Sequence, residues 1–470
     1  MAPMMLRVFP FLLGLLLGLP AIAGFSPQFA LNQLPAAQDT ALLIIDPATG
    51  TTLFSQRENQ FQAPASTQKL ITALAARLYL GKDFRFYTDL EQDGKNYIIH
   101  FSGDPSLSRQ QLANLLRKIS KNKISGNIIL NGSVFSGYEH APGWPWDILG
   151  VCYSAPSSSI SLEHNCVQGA LYSSKSAGKV TRVHVPAHQP IKVATSAITV
   201  TKEQQKQRHC DLELYADASN HYQLSGCLAQ MDRPLPLNFA VQNTVDYTAA
   251  VIRSELKRAG IRFNGEIMRN DNARGKRIAR HSSAPLSELL DTMVKDSDNL
   301  IADNLAKTLG HRYFNQKGTF TNGVAAIKTI LLEQASIDLS AAVMVDGSGL
   351  SRNNRLTAAQ MMEVLTYYYR NDKQLKLLST LPISGQTGTL RYRQSIRHQP
   401  LSGQIAAKSG SLFGTHNLAG FITTKSGKQL MFVQLVSNYH PPEKDDDAPK
   451  VAPPIEQFER ELYRALYENY

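Results

Sequence analysis

A lysine at the head of an otherwise apolar helix restricts the fold of this chain more than any other feature. Ser66-Thr67-Gln68-Lys69 runs straight into Leu70-Ile71-Thr72-Ala73-Leu74-Ala75-Ala76, and Ala63-Pro64-Ala65 before it reads as a helix start. So apolar a helix has to be buried, and Lys69 with it. Ser66 and Lys69 are three residues apart, which sets hydroxyl and amine on one helix face within reach of proton exchange. A free lysine, with a pKa near ~10.4, is a cation and no base at neutral pH. Bringing it to ~7 costs about 4–5 kcal/mol, which desolvation, a second cation and the positive end of a helix can supply together. The fold must therefore bring another cation to this point, and the serine then becomes a nucleophile without histidine. Ser-x-x-Lys also occurs at Ser120 and Ser176, but the first lies in the polar tail of an amphipathic segment and the second in a Ser/Gly loop. The bland alternative for Ser66 is a surface serine capping a core helix.

Residues 1–23 carry one early charge (Arg7), an apolar block and the ending Ala21-Ile22-Ala23, which reads as a signal peptide cut before Gly24. The block is short for a membrane span and nothing later approaches that length, so the expectation is an exported, periplasmic protein with no stable membrane insertion after cleavage; an uncleaved anchor is the alternative. Cys152, Cys166, Cys210 and Cys227 cluster mid-chain, which in an exported protein argues for two local disulfides, most simply Cys152–Cys166 and Cys210–Cys227. Zinc, with His164 and His209 alongside, is the runner-up, but no Cys-x-x-Cys is present; the expectation is no metal and no cofactor. The net charge of +11 is scattered among acids without a basic block, which argues against nucleic acid and suits a carboxylate-rich matrix.

Along the 470 residues the patterning changes twice. Segments 41–45 and 51–54 flank Asp46-Pro47-Ala48-Thr49-Gly50 as a hairpin before the Ser66 helix. Short strands then dominate from 86 to 269, among them 97–101, 127–130, 179–185 and 191–200, with helices near 108–119 and 245–259 and Pro/Gly/Ser-rich joints. This reads as a β-rich inserted region of two subdomains carrying all four cysteines. Residues 24–85 and 270–470 form the enclosing domain. In it, Leu286, Leu289, Leu290 and Met293 line one helix face, a polar break follows at Lys295-Asp296-Ser297-Asp298-Asn299, and a second helix begins. Segments 404–408, 416–424 and 429–438 read as antiparallel strands, and Ile455, Phe458, Leu462 and Leu466 as a last amphipathic helix packed on the sheet.

Cleaving an amide needs a nucleophile, a base, a proton for the leaving nitrogen and donors for the oxyanion. Ser66 and Lys69 offer the first two. Ser297 and Asn299, at the polar break, offer a proton shuttle and a positioning amide. Lys408-Ser409-Gly410, at a strand end, offers the second cation, a hydroxyl for a carboxylate and a glycine that lets a substrate backbone approach. Ser-x-Asn and Lys-Ser-Gly each recur elsewhere; it is the order of the three motifs, each in the expected element, that is specific.

These motifs, in this order, resemble those of the penicillin-recognising serine enzymes. The 227 residues between Lys69 and Ser297 exceed what a compact β-lactamase carries and are similar to the penicillin-binding protein 4 type of DD-carboxypeptidase/endopeptidase, the class C low-molecular-mass penicillin-binding proteins. Further stretches similar to that family are Ser102-Gly103-Asp104-Pro105, Pro142-Gly143-Trp144-Pro145-Trp146, Asp346-Gly347-Ser348-Gly349-Leu350-Ser351-Arg352 and Leu418-Ala419-Gly420-Phe421. The resemblance implies an α+β, β-lactamase/transpeptidase-like fold: an antiparallel sheet with helices on both faces, an all-α part, and β-rich domains inserted between the first two motifs. It also implies acylation of Ser66 by the penultimate D-alanine carbonyl of a peptidoglycan stem or by a β-lactam, with Lys69 as base. Ser297 and Lys408 would relay the proton, Asn299 would hold the peptide, Ser409 and Gly410 would meet substrate, and the N–H groups of Ser66 and Ser411 would form the oxyanion hole. Asp147 and Arg352 are candidates for the substrate's amino and carboxylate groups, a surface ion pair being the alternative for each. Two other readings compete. One is a β-lactamase, against which no Glu-x-x-Leu-Asn follows Asn299. The other is a non-catalytic wall-binding scaffold, which would have lost at least one of these residues.

Overall fold

The computed structural model describes residues 26–441 and 451–470; the expected signal peptide, residues 1–23, lies outside the described residues. The first and last strands of the chain share one five-stranded antiparallel sheet, ordered Ile405–Leu412, Thr415–Thr423, Gln429–Ser437, Asp39–Asp46, Thr51–Gln56. Asp39 pairs with Ser437 and Ile45 with Met431, so the opening hairpin is stitched to the C-terminal strands.

The central strands alternate between two cores, as a sheet covered on both faces must. Leu43, Phe421, Met431 and Val433 pack on the helices Lys69–Leu80, Leu286–Lys295, Asn299–Phe314, Phe320–Ala335 and Ala358–Leu375. Leu42, Ile44, Ile422 and Phe432 lie under the final helix Pro454–Asn469, whose Ile455, Phe458, Leu462 and Leu466 face the sheet. Within Lys69–Leu80, every residue from Lys69 to Ala76 is buried, which forces the lysine inside with the helix.

Residues 87–282 form further sheets that share one hydrophobic core. One is a five-stranded sheet ordered Ile267–Arg269, Ile128–Asn131, Asn96–Phe101, Tyr87–Asp93, Lys276–Ser282, with helices Arg109–Leu116 and Thr244–Arg258 contributing to that core. Two others are a three-stranded sheet built on Cys166–Tyr172 and a four-stranded one built on His221–Ala229. Beyond the boundary expected after residue 269, Lys276–Ser282 pairs with Tyr87–Asp93; this strand is highly charged and largely exposed, so it lacks the apolar pattern that marks a strand in sequence. The expected strand 191–200 is two, Lys192–Thr195 and Ile198–Val200, and 179–185 shortens to Arg182–His184. Cys152 is bonded to Cys166 and Cys210 to Cys227.

Candidate active site

Ser66 lies in a 3-10 turn, Ala65–Gln68, that opens directly into the helix Lys69–Leu80. The approach to it is tightly held. Asn417 donates from Nδ2 to the carbonyls of Ala63 (2.8 Å) and Pro64 (3.0 Å), and Ala65 adopts a left-handed φ of 47°. Two glycines let a neighbouring strand and a loop close on this turn. A Cβ on Gly410 would stand 2.9 Å from the Pro64 carbonyl and 3.0 Å from the Ser66 nitrogen, and one on Gly349 would overlap the Ala65 carbonyl at 1.9 Å.

Lys69 Nζ donates to Ser66 Oγ (3.0 Å), to Asn299 Oδ1 (2.5 Å) and to the Ser348 carbonyl (2.7 Å). Its side chain is fully buried. Burial holds its pKa below the ordinary lysine value, and Asp303, Asp346 and Asp298 pull the other way. Lys408, equally buried, donates to Ser297 Oγ (2.9 Å) and to the Ser409 carbonyl (2.9 Å). Burial lowers its pKa well below normal, and the charges of Lys69 and then Arg393 lower it further. The repulsion between Lys69 and Lys408 is mutual: while either carries a proton, protonation of the other is disfavoured.

The polar break behaves as its composition requires. Asp298 caps the helix Asn299–Phe314 through the Ile301 N–H (2.8 Å), and Ser297 sits before it at φ 61°, a left-handed conformation that a serine holds only under surrounding constraint. Its hydroxyl meets Lys408 and forms no hydrogen bond with Ser66. Asn299 is engaged at both ends: Oδ1 accepts from Lys69, and Nδ2 donates to the main-chain carbonyl of Tyr153 in the inserted region (2.6 Å). The same helix anchors that segment further along, since Asn304 Oδ1 accepts from Ser157 Oγ (2.7 Å) and Lys307 Nζ donates to the carbonyls of Tyr138 and Ser157 (both 2.7 Å).

Ser409, Gly410 and Ser411 lie along Ile405–Leu412, the edge strand of the sheet, and Ser411 is exposed. Ser409 Oγ shares a hydrogen bond with Thr389 Oγ1 (2.8 Å). Asp147 and Arg352 are exposed and flank Tyr153, whose phenol feels both charges in opposite senses. Neither forms an ion pair among the described residues; the Arg352 guanidinium stands 5.8 Å from the ring centre of Phe413.

Sequence reasoning gave no role to Asp303 and Asp346. Asp303 Oδ1 accepts from the N–H groups of Gly347 (2.8 Å) and Ser348 (2.9 Å), which aims the Ser348 carbonyl at Lys69. Asp346 accepts from Gly349 N (2.8 Å), Ser351 N (2.7 Å), Trp144 Nε1 (2.9 Å) and Asn354 Nδ2 (2.9 Å), tying the loop to the inserted region. The signal was present: Asp303 falls one helical turn after Asn299, and Asp346 opens a Gly/Ser run.

The arrangement sets a serine hydroxyl against a buried amine, with a second amine–hydroxyl pair nearby and a free strand edge alongside. Known proteins resemble the chain over most of its length. The chain is 35% identical over 470 residues to the D-alanyl-D-alanine carboxypeptidase DacB of Haemophilus influenzae, spanning 97% of each. It is 26% identical over 448 residues to a D-alanyl-D-alanine carboxypeptidase of Actinomadura sp., covering 85% of this chain and 78% of that one. The crystal structure of penicillin binding protein 4 (dacB) from H. influenzae superposes with a TM-score of 0.87 at 36% identity, over 94% of this chain and 99% of that one. The structure of that protein complexed with a β-lactam gives 0.83 at 35% identity, with the same coverage of both chains. With a family model also matching residues 28–462, the chain belongs to the D-Ala-D-Ala carboxypeptidase 3 (S13) family.

Proposed function

We propose that this protein is a serine-type D-alanyl-D-alanine carboxypeptidase and DD-endopeptidase that cleaves peptidoglycan stem peptides and their cross-links through an acyl-enzyme on Ser66, and that β-lactams acylate the same residue. The observation that carries the reading is the 3.0 Å contact between Ser66 Oγ and a fully buried Lys69 amine, whose pKa burial lowers to about 8. Neutral Lys69 takes the Ser66 proton as Oγ attacks the penultimate D-alanine carbonyl. The N–H groups of Ser66 and Ser411 receive the oxyanion, each such donor being worth ~10²–10³ in rate. Lys408 and Ser297 pass a proton to the departing nitrogen, and water then hydrolyses the ester. The substrate lies along the edge strand beyond Lys408, where Ser409 and Gly410 meet it; the start of that edge is already bonded to Pro382 and Ser384. Asn299 and the exposed pair Asp147 and Arg352 contact the stem. In a β-lactam the leaving nitrogen stays tethered to the acyl group, which favours a lasting adduct.

The catalytic unit in this reading is built from the chain before Tyr87 and after Ser282, with residues 87–282 inserted. Its place of action is the periplasm after signal cleavage, in keeping with two disulfides; no helix among the described residues is long and apolar enough to cross a membrane. The test is Ser66→Ala, which should abolish both labelling by fluorescent penicillin and release of D-alanine from a pentapeptide. Retained hydrolysis would remove Ser66 as the nucleophile. Incubation with cross-linked sacculi separates the two activities: falling muropeptide dimers report endopeptidase action, shortened stems alone carboxypeptidase action.

A further inference from the structure

The inserted region holds a hollow of about 510 Å³ whose lining includes Lys123, Arg253, Lys257 and Arg262 and no acidic residue. Leu256, Ile261 and Phe263 also line it. The four cations are placed against electrostatic preference. Lys123 and Arg262 stand in register on the parallel strands Lys123–Ile124 and Arg262–Phe263, a like-charge cross-strand pair. Arg253 and Lys257 are one helical turn apart on Thr244–Arg258, a like-charge pair of the kind that destabilises a helix. Lys123, Lys257 and Arg262 are exposed, and none of the four is paired with an acid among the described residues. The one acid on that stretch of helix, Glu255, is buried and already holds Arg109 and Arg258. The sequence around Lys123 is one-sided as well: from Pro105 to Tyr138 there is no Asp or Glu, while Arg117, Lys118 and Lys121 precede it.

We propose that this hollow is an exosite for the carboxylate-rich polymer that carries the substrate, holding a neighbouring length of peptidoglycan while the catalytic unit works on a stem. The identity of the polymer rests on the peptidoglycan reading above; the demand for a multivalent anion rests on the hollow alone. A basic depression suits carboxylates borne on a peptide, whose aliphatic parts can lie on the half-buried Phe263. The cations contribute nothing to the Ser66 site, so they act on capture of polymer and leave turnover of a small peptide untouched.

The test is the triple variant Lys123→Gln, Lys257→Gln, Arg262→Gln in the full chain. It leaves Arg253 on the Phe263 ring and involves only exposed side chains, so folding is preserved; circular dichroism and fluorescent-penicillin labelling check this. Co-sedimentation with purified sacculi at low salt should fall roughly tenfold, with D-alanine release from a soluble pentapeptide unchanged and the wild-type binding itself weakening as salt rises. Unchanged sacculus binding would overturn the exosite. So would a loss seen only with vesicles of phosphatidylglycerol and phosphatidylethanolamine, which would assign the hollow to membrane lipid. Sedimentation needs no turnover: wild type that binds sacculi through these residues yet releases no D-alanine would refute the proposed activity and leave the binding surface standing.

Discussion

Asn299 Nδ2 donates to the main-chain carbonyl of Tyr153 at 2.6 Å while its Oδ1 receives Lys69, so a residue of the inserted region completes the hydrogen bonding of an amide in the catalytic cluster. The segment around Tyr153 is thereby structurally coupled to Lys69. Asn304 and Lys307, on the same helix as Asn299, hold the segment that follows Tyr153, so the helix grips the insertion at three successive points.

Exchanging the charge next to Lys69 should move its titration in a calculable sense. Asn299→Asp adds a carboxylate where Oδ1 now accepts the amine, which favours the protonated lysine and raises its pKa. The rise of penicillin acylation with pH should shift to higher pH by roughly one unit or more, with acylation at neutral pH falling about tenfold or more. Stopped-flow acylation across pH reads both.

Asp303→Asn should act oppositely. Burial and the neighbouring Asp346 push the Asp303 carboxyl up to about 8, so it acts on Lys69 as a charge only as pH approaches that value; the asparagine keeps an oxygen for Gly347 and Ser348 and removes that charge. The same limb should shift toward acid. A shift toward alkali would mean that the loop, and not the charge, had changed.

Gly349→Ala should disable the enzyme through backbone overlap. The added Cβ would lie 1.9 Å from the Ala65 carbonyl and the residue has φ +82°, so stability should drop by about 2–4 kcal/mol, with loss of penicillin labelling. Gly50→Ala, at φ +74° with nothing within 4 Å, isolates the conformational strain and should keep labelling; urea unfolding of both separates the two effects.

Lys307 predicts a stability slope. Burial lowers its pKa to about 8 in the folded protein, whereas unfolded lysine holds its proton to ~10.4. Between those values the unfolded state binds more protons, so the contribution of this residue to unfolding free energy grows with pH, by up to ~1.4 kcal/mol per unit. Lys307→Met should flatten that part of the curve between pH 8 and 10 in denaturant titrations, and should lower stability overall by leaving two carbonyls without their donor.

Nitrocefin should give a stoichiometric burst and a lasting adduct. No Glu-x-x-Leu-Asn follows Asn299 to place a deacylating water, so sustained rapid turnover would favour a β-lactamase instead.

What the sequence disclosed followed from strong local patterns. The apolar run after Lys69 required burial, and the periodicity of Leu286 to Met293 and of Ile455 to Leu466 marked helix faces that the structure does bury. The strand Lys276–Ser282 was illegible because it joins its sheet through backbone pairing while its side chains stay largely in solvent. Asp303 and Asp346 escaped notice for a related reason. Both accept backbone N–H groups, a role tied to no single motif, so their position one turn after Asn299 and at the head of a Gly/Ser run did not single them out, whereas Ser66 and Lys69 announce themselves by being three residues apart on a helix.

The pairing of Asp39–Asp46 with Gln429–Ser437 ties the timing of activity to chain completion. A polypeptide cut short before residue 408 still displays Ser66, but lacks Lys408, the edge strand and the partners that close the sheet beneath the nucleophile. Such a fragment is chemically silent. A serine carboxypeptidase built this way acquires its reactivity only when synthesis is nearly finished, a safeguard that arises from strand order alone and needs no separate inhibitor.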